Sequence, residues 1–110
     1  MTPLTPLSLH VLLALADEDR HGYAIIKEIA RQTQGQLQPG TGALYTAIQR
    51  LVDDRWIAVS HQRPDPKDDD PRRRYYRLTP QGRTALAAET ARLTELLLVA
   101  RRKKVVPRFA

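Results

Sequence analysis

LQPGTGALYTAIQRLVDD, residues 37–54, is the stretch on which the architecture turns. Pro39, Gly40 and Gly42 mark a tight turn. Thr41 is placed to cap a helix from about Gly42 to Asp54, because a hydroxyl there can accept an orphan backbone N–H. Leu44, Ile48, Leu51 and Val52 recur at helical spacing and make an inner face. Thr46, Gln49, Arg50 and Asp53 fall on the outside. The segment before the turn is also helical. It opens near His21-Gly22 and runs to about Thr33, with Tyr23, Ile26, Ile29 and Ala30 on its apolar stripe. Gly35 ends it with a residue that tolerates positive φ. Two short helices across a Gly-containing turn, the second with a polar outer face, form a helix-turn-helix pattern.

Downstream the period changes to two. Ile57 and Val59 alternate with Ala58 and Ser60, which reads as a strand. Residues 64–71 are a polar loop, and a second strand spans Arg72 to Leu78. Its alternation sets Arg74, Tyr76 and Leu78 against Arg73, Tyr75 and Arg77. Strand, loop and strand make a hairpin wing. Thr79-Pro80 then signals a helix start, with Thr as cap and Pro in the first position. That helix continues to about Lys104. Leu86, Leu93 and Ala100 lie seven apart, thickened by Leu96 and Leu97. It is longer than the rest of the fold can cover, so its leucine seam is expected to pair with a second subunit. Upstream, Thr5-Pro6 starts a first helix carrying Leu4, Leu7, Val11, Leu12 and Leu15. The fold class is mainly α with a small β-hairpin (α+β). A winged helix-turn-helix spans residues 1–79, and a long C-terminal dimerisation helix with a basic tail spans 80–110.

Charge supports a polyanionic partner. The 110 residues carry 18 Lys and Arg against 12 Asp and Glu, a net charge of +6. Residues 1–62 hold five basic and six acidic side chains, whereas 63–110 hold thirteen and six. The basic surface therefore lies mostly in the second half. The chain has no cysteine, which excludes disulfides, thiolate catalysis and Cys-type zinc sites. His10, His21 and His61 are scattered, so no metal site and no cofactor is expected. No nucleophile elbow, P-loop or dinucleotide fingerprint appears, which argues against an enzyme. No apolar run approaches the ~20 residues of a membrane span, and Met1-Thr2-Pro3-Leu4 lacks a basic leader. A cytoplasmic protein without membrane contact is expected.

Three groups of residues carry the expected chemistry. Thr46, Gln49 and Arg50 have the donors and acceptors that read base edges from a helix in the major groove; the bland alternative is a solvated face. Arg72-Arg73-Arg74-Tyr75-Tyr76-Arg77 packs four arginines into six residues, and a forked guanidinium suits phosphate. At least one of Arg72 and Arg73 is expected on phosphate; the alternative is a charge run that keeps a strand edge soluble. Asp68-Asp69-Asp70 can neutralise the cluster or hold Arg74 or Arg77. Tyr23 and Tyr45 each stand beside a glycine at a helix start. Each can offer its hydroxyl to a phosphate, or pack its ring with the hydroxyl at the edge. Trp56 reads as core or subunit interface. Arg101-Arg102-Lys103-Lys104 suits the negative end of a helix dipole.

Several of these segments together resemble one family. His21-Gly22-Tyr23, Gly42-Ala43-Leu44-Tyr45 with Leu51 and Ile57 downstream, and above all the run from Asp70 to Arg83 resemble the PadR-like transcriptional regulators. The likeness extends over residues 4–100 and fits the short subgroup with a single C-terminal helix. The resemblance implies a homodimer that binds a palindromic operator in double-stranded DNA and represses transcription. It implies backbone contacts from Tyr23 and Tyr45, with the third helix in the major groove and the arginines before Tyr75 at the flanking groove. Small aromatic or drug-like effectors bind between subunits in some members, so such an effector is a candidate partner. Ala43 stands where Thr is usual before Leu-Tyr, so one phosphate contact is expected either to be missing or to be supplied by Thr41. Arg55 stands where Gly is usual, so that turn is expected to differ. The rival reading is a winged-helix protein–protein adaptor that does not bind DNA.

Overall fold

A computed structural model describes residues 4–61, 70 and 72–107. The chain runs α1 (Pro6–Ala14), β1 (Arg20–His21), α2 (Gly22–Gln32), α3 (Thr41–Asp53), β2 (Ile57–Ser60), β3 (Tyr75–Leu78) and α4 (Pro80–Arg102). Most of the hairpin loop, 62–69 and 71, lies outside the described residues, and with it the reading of Asp68 and Asp69 as neutralising groups.

The starts of α1 and α4 follow their Thr-Pro signals. Thr5 accepts from the Ser8 N–H, Thr79 accepts from the Gly82 N–H, and a proline follows each cap. The third helix departs from its reading. Gly40 holds the cap position and no side chain caps the helix, while Thr41 is the first helical residue with its side chain exposed. The amino end of α3 thus presents N–H groups among small residues.

One core joins all four helices to the sheet. Val11, Leu12, Ala14 and Leu15 of α1 and its end meet Ile25 and Ile29, then Leu44, Ile48 and Leu51, with Ile57, Tyr76 and Leu86 closing it. Trp56 packs against this core. The buried stripe of α2 is Gly22, Ile25 and Ile29, which leaves Tyr23 exposed rather than on the inner face.

The sheet has three antiparallel strands in the order β1-β3-β2. Its first strand is only Arg20–His21, paired with Tyr76 and Tyr75, and is too short for a period of two to reveal. The wing strand starts at Tyr75 rather than Arg72. The Arg73 N–H donates to the Asp70 carbonyl at 2.9 Å, and this turn keeps Arg72–Arg74 out of the ladder. Both Tyr75 and Tyr76 are buried, against simple alternation. Tyr76 enters the core, and the His21 and Tyr75 rings meet nearly perpendicular, centroids 5.3 Å apart.

The junction of α3, β2 and α4 is tightly built. Arg55 takes φ 63°. Its N–H donates to Val52 O, and the Trp56 N–H donates to Leu51 O, each at 3.0 Å, the pair of bonds that closes a Schellman motif. The turn is therefore the one glycine would make, although an arginine occupies it. Thr79 ties this turn to α4: its hydroxyl donates to Arg55 O at 2.7 Å and its N–H donates to Trp56 O at 3.1 Å. Gly82 lies against the same carbonyl, where a Cβ would fall 1.9 Å from Trp56 O. Only glycine fits without backbone movement.

Beyond Glu89 no described residue of α4 is buried. Glu89 itself accepts from the Leu4 N–H at 3.3 Å and pairs with Arg92, which anchors the proximal half of α4 to the start of α1. At ~1.5 Å per residue the 23-residue helix is about 34 Å long, and it accounts for the 51 Å long axis of the molecule.

Candidate nucleic-acid interface

The outer face of α3 and the base of the wing meet at a cleft of about 510 Å³. Tyr23, Tyr45, Gln49, Arg72 and Arg73 line it, joined by His21, Gly22, Ile48, Arg74 and Tyr76. Around the corner a shallow groove of about 500 Å³ runs along α3 between Gly42, Tyr45, Thr46, Gln49, Arg50 and Asp53. Seven of the eight residues expected to meet DNA line these two depressions, whereas Thr41 stands apart at the helix start.

Local packing explains how the tyrosines are held. The Tyr45 ring lies against Gly22, so closely that a Cβ on Gly22 would stand 2.3 Å from the Tyr45 hydroxyl oxygen. The glycine of helix two and the tyrosine of helix three are thus complementary surfaces. Tyr23 is 60% exposed, with its ring parallel to that of His21 and the Lys27 ammonium 4.8 Å from its centroid. Neither tyrosine is buried in the core, so both rings reach solvent. Lys27 was not singled out from the sequence, although its spacing of four from Tyr23 on a helix is a readable signal.

The polar residues of α3 differ in how they are engaged. The Thr46 hydroxyl donates back to Gly42 O at 3.0 Å. The Gln49 amide donates to the Asp53 carboxylate at 2.9 Å. Arg50 is exposed beside them.

The wing arginines also divide. Asp70 grips Arg72 through its Nε and Nη2, both at 3.1 Å, and accepts the Arg72 N–H at 2.9 Å. These hydrogen bonds and the nearby positive charges hold the Asp70 carboxyl down at about 2. Asp70 therefore engages Arg72, not Arg74 or Arg77. The charge of Arg74 lies near the Tyr76 hydroxyl, while burial is the main influence that raises the Tyr76 phenol above its ordinary range. Arg73 is exposed at the mouth of the cleft. His21 is lowered from 6.5, first by burial and then by the charge of Arg73, so it is neutral near neutral pH. Its Nδ1 is then available to accept the Ala24 N–H and cap α2, at 3.4 Å.

The expected subunit seam is only partly at the surface. Leu86 lies in the core of its own chain, facing α1, and leaves no side chain for a partner. Leu93 and Ala100 are half-buried, while Leu96 and Leu97 are exposed, the former by 57%. Leu98 and Val105 join them, and α1 adds the exposed Leu13. Sequence reading missed Leu13, although a helix apolar on every side, PLSLHVLLA, is itself a sign of a second covered face.

Among the described residues no group of three or more His, Asp or Glu is placed to hold a metal, and no helix is long and apolar enough to cross a membrane.

Comparison with known proteins points the same way. The family model described as the Transcriptional regulator PadR-like family matches residues 11–88. The transcriptional regulator Rv3488 of Mycobacterium tuberculosis is 40% identical over 88 residues, 80% of this chain and 76% of that protein. A transcriptional regulator from Clostridium thermocellum superposes with a TM-score of 0.72 at 25% identity, covering 87% of each chain. BpsR of Bordetella bronchiseptica, whose DNA binding is regulated by 6-hydroxynicotinic acid, superposes with a TM-score of 0.64 at 26% identity. That match covers 87% of this chain and 64% of BpsR.

Proposed function

We propose, from the premise that this chain belongs to the PadR-like family of transcriptional regulators, that it is a homodimeric repressor of a palindromic operator. The winged helix-turn-helix of residues 1–79 grips the duplex, and residues 80–110 pair the subunits. The observation that carries this reading is the segregation of surface chemistry. Tyrosines, Gln49, Arg50 and the wing arginines gather around α3, whereas exposed leucines gather on distal α4.

In this mechanism α3 enters the major groove. Gln49, Arg50 and Thr46 face base edges. Tyr23, Tyr45 and the amino end of α3 at Thr41 meet backbone phosphates. Arg72 and Arg73, both exposed at the cleft, supply the wing contact to phosphate, and Asp70 partly compensates the charge of Arg72. Two copies related by a two-fold axis set the reading helices about 34 Å apart, one turn of duplex. A small aromatic ligand that shifts one subunit against the other releases the operator; the regulation of BpsR by 6-hydroxynicotinic acid supports an effector of that class.

The test is binding of the purified protein to the DNA upstream of its own gene and to random duplex, over a range of salt. Tight binding to the former with a steep loss as salt rises is expected, because phosphate contacts release counterions. Arg73→Ala weakens binding to every duplex and lowers the salt slope by about one. Equal affinity for both duplexes at physiological salt overturns the repressor reading. No affinity for either favours the adaptor.

A further inference from the structure

Among the described residues, the acidic side chain lining the groove on the outer face of α3 is Asp53. Its position is unfavourable twice over. A carboxylate in the last turn of a helix opposes the helix dipole, and a carboxylate on a phosphate-facing surface repels the duplex. Yet it makes a specific contact, accepting from Gln49 Nε2 at 2.9 Å across one helical turn.

That bond fixes the direction of an amide that could otherwise present either end. A carboxylate can only accept, so the NH₂ end of Gln49 is the one turned to Asp53. The carbonyl Oε1 is left as the group offered outward. A free glutamine can satisfy adenine through both ends, donating to N7 and accepting from N6. A glutamine whose amide nitrogen is engaged acts mainly as an acceptor and selects a base with an exocyclic amino group, adenine N6 or cytosine N4.

Resting on the reading of α3 as a recognition helix, we propose that Asp53 is a specificity-positioning residue. It holds Gln49 with its carbonyl toward the duplex, and so selects an amino-bearing base at one position of each half-site. Asp53 touches no base; it acts through Gln49. The simpler role of a helix-stabilising pair would alter stability and leave base preference as it was.

The experiment is selection from a random double-stranded DNA library at physiological salt, using the full-length protein and its Q49A, D53A, D53N and D54A variants. The neighbouring exposed Asp54 controls for charge alone. Wild type is expected to prefer adenine or cytosine at one position per half-site, and Q49A to lose that preference. D53A is expected to reduce it at that same position several-fold. D53N, whose side-chain carbonyl can still accept from Gln49, is expected to fall between wild type and D53A. D54A should raise affinity for all sequences alike without touching the preference. The proposal is overturned if D53A matches D54A while Q49A alone changes specificity, in which case α3 still reads DNA. It is equally overturned if Q49A changes no position. A wild-type protein that selects no sequence removes the underlying reading as well, and is recognised by that result alone. Thermal melting of each variant separates loss of folding from loss of preference.

Discussion

The outer face of α3 and the distal half of α4 are both exposed, but they are unlike in kind. The face of α3 carries hydroxyls, an amide and an arginine, each able to be satisfied by water in the free protein. Distal α4 carries Leu96, Leu97 and Leu98, which gain nothing from water. An exposed polar face on a well-packed fold is compatible with a molecule complete by itself. Apolar side chains exposed on a helix are costly to leave in water, and this is why the proposed pairing surface is placed there. Polar side chains on α3 thus leave a partner to be inferred from residue type and geometry, whereas for the leucines of α4 the cost of exposure is itself the argument for the proposed pairing.

The sharpest way to break this contrast is to put charge on the apolar side. Leu96→Glu with Leu97→Glu should weaken self-association by about 3 kcal/mol or more, a hundredfold in the dimer constant, because two leucines lose their burial. Sedimentation equilibrium measures it. An unchanged mass would locate the pairing surface elsewhere, and α1 around Leu13 would be next to test.

The junction between the two regions provides the second test. Gly82→Ala places a methyl group against Trp56 O, a backbone atom that cannot swing aside. A loss of about 3 kcal/mol is expected, at the upper end for overpacking. Chemical denaturation of wild type and variant reads it. A neutral result would mean that α4 can slide relative to the end of α3, and that the two faces are less rigidly joined than their hydrogen bonds indicate.

A smaller gain is expected at the same junction. Arg55 sits in the left-handed region, at φ 63°. Arg55→Gly relieves that conformation and should raise stability by about 0.5–1 kcal/mol, net of the greater freedom of glycine in the unfolded chain. A rise in Tm checks it, and a fall would show that the Arg55 side chain contributes more than its backbone costs.

The smallest effect concerns pH. The folded protein resists protonation of His21, whose pKa lies below 6.5 through burial and the nearby Arg73. Its contribution is complete above the unfolded value, declines as pH falls through and below 6.5, and levels off once the folded histidine itself is protonated. His21→Asn keeps a capping side chain without this titration. The stability difference between about pH 7 and pH 5 should shrink in the variant, measured by urea unfolding at each pH.

Legibility from the sequence followed the length of each signal. The inner and outer faces of α3 were readable because thirteen residues give the helical period several turns to repeat. The Thr-Pro starts of α1 and α4 were readable because capping chemistry is local. The two-residue strand β1 was not, since it forms only by pairing with residues more than fifty positions away. The turn at Arg55 is expected to differ where glycine is usual, yet Arg55 takes the left-handed conformation that a glycine would take. The wing arginines read as one cluster, yet Arg72 is held by Asp70 whereas the charge of Arg74 lies near the Tyr76 hydroxyl.

By itself the sequence determined the order of the helices, the polar outer face of α3 and the basic second half, because periodicity, caps and charge reside in neighbouring residues. Only the tertiary structure decided that Leu86 belongs to its own core and that Tyr45 rests on Gly22. Those outcomes depend on which surfaces meet and which way side chains turn when they do. Spacing along the chain restricts such choices without selecting among them.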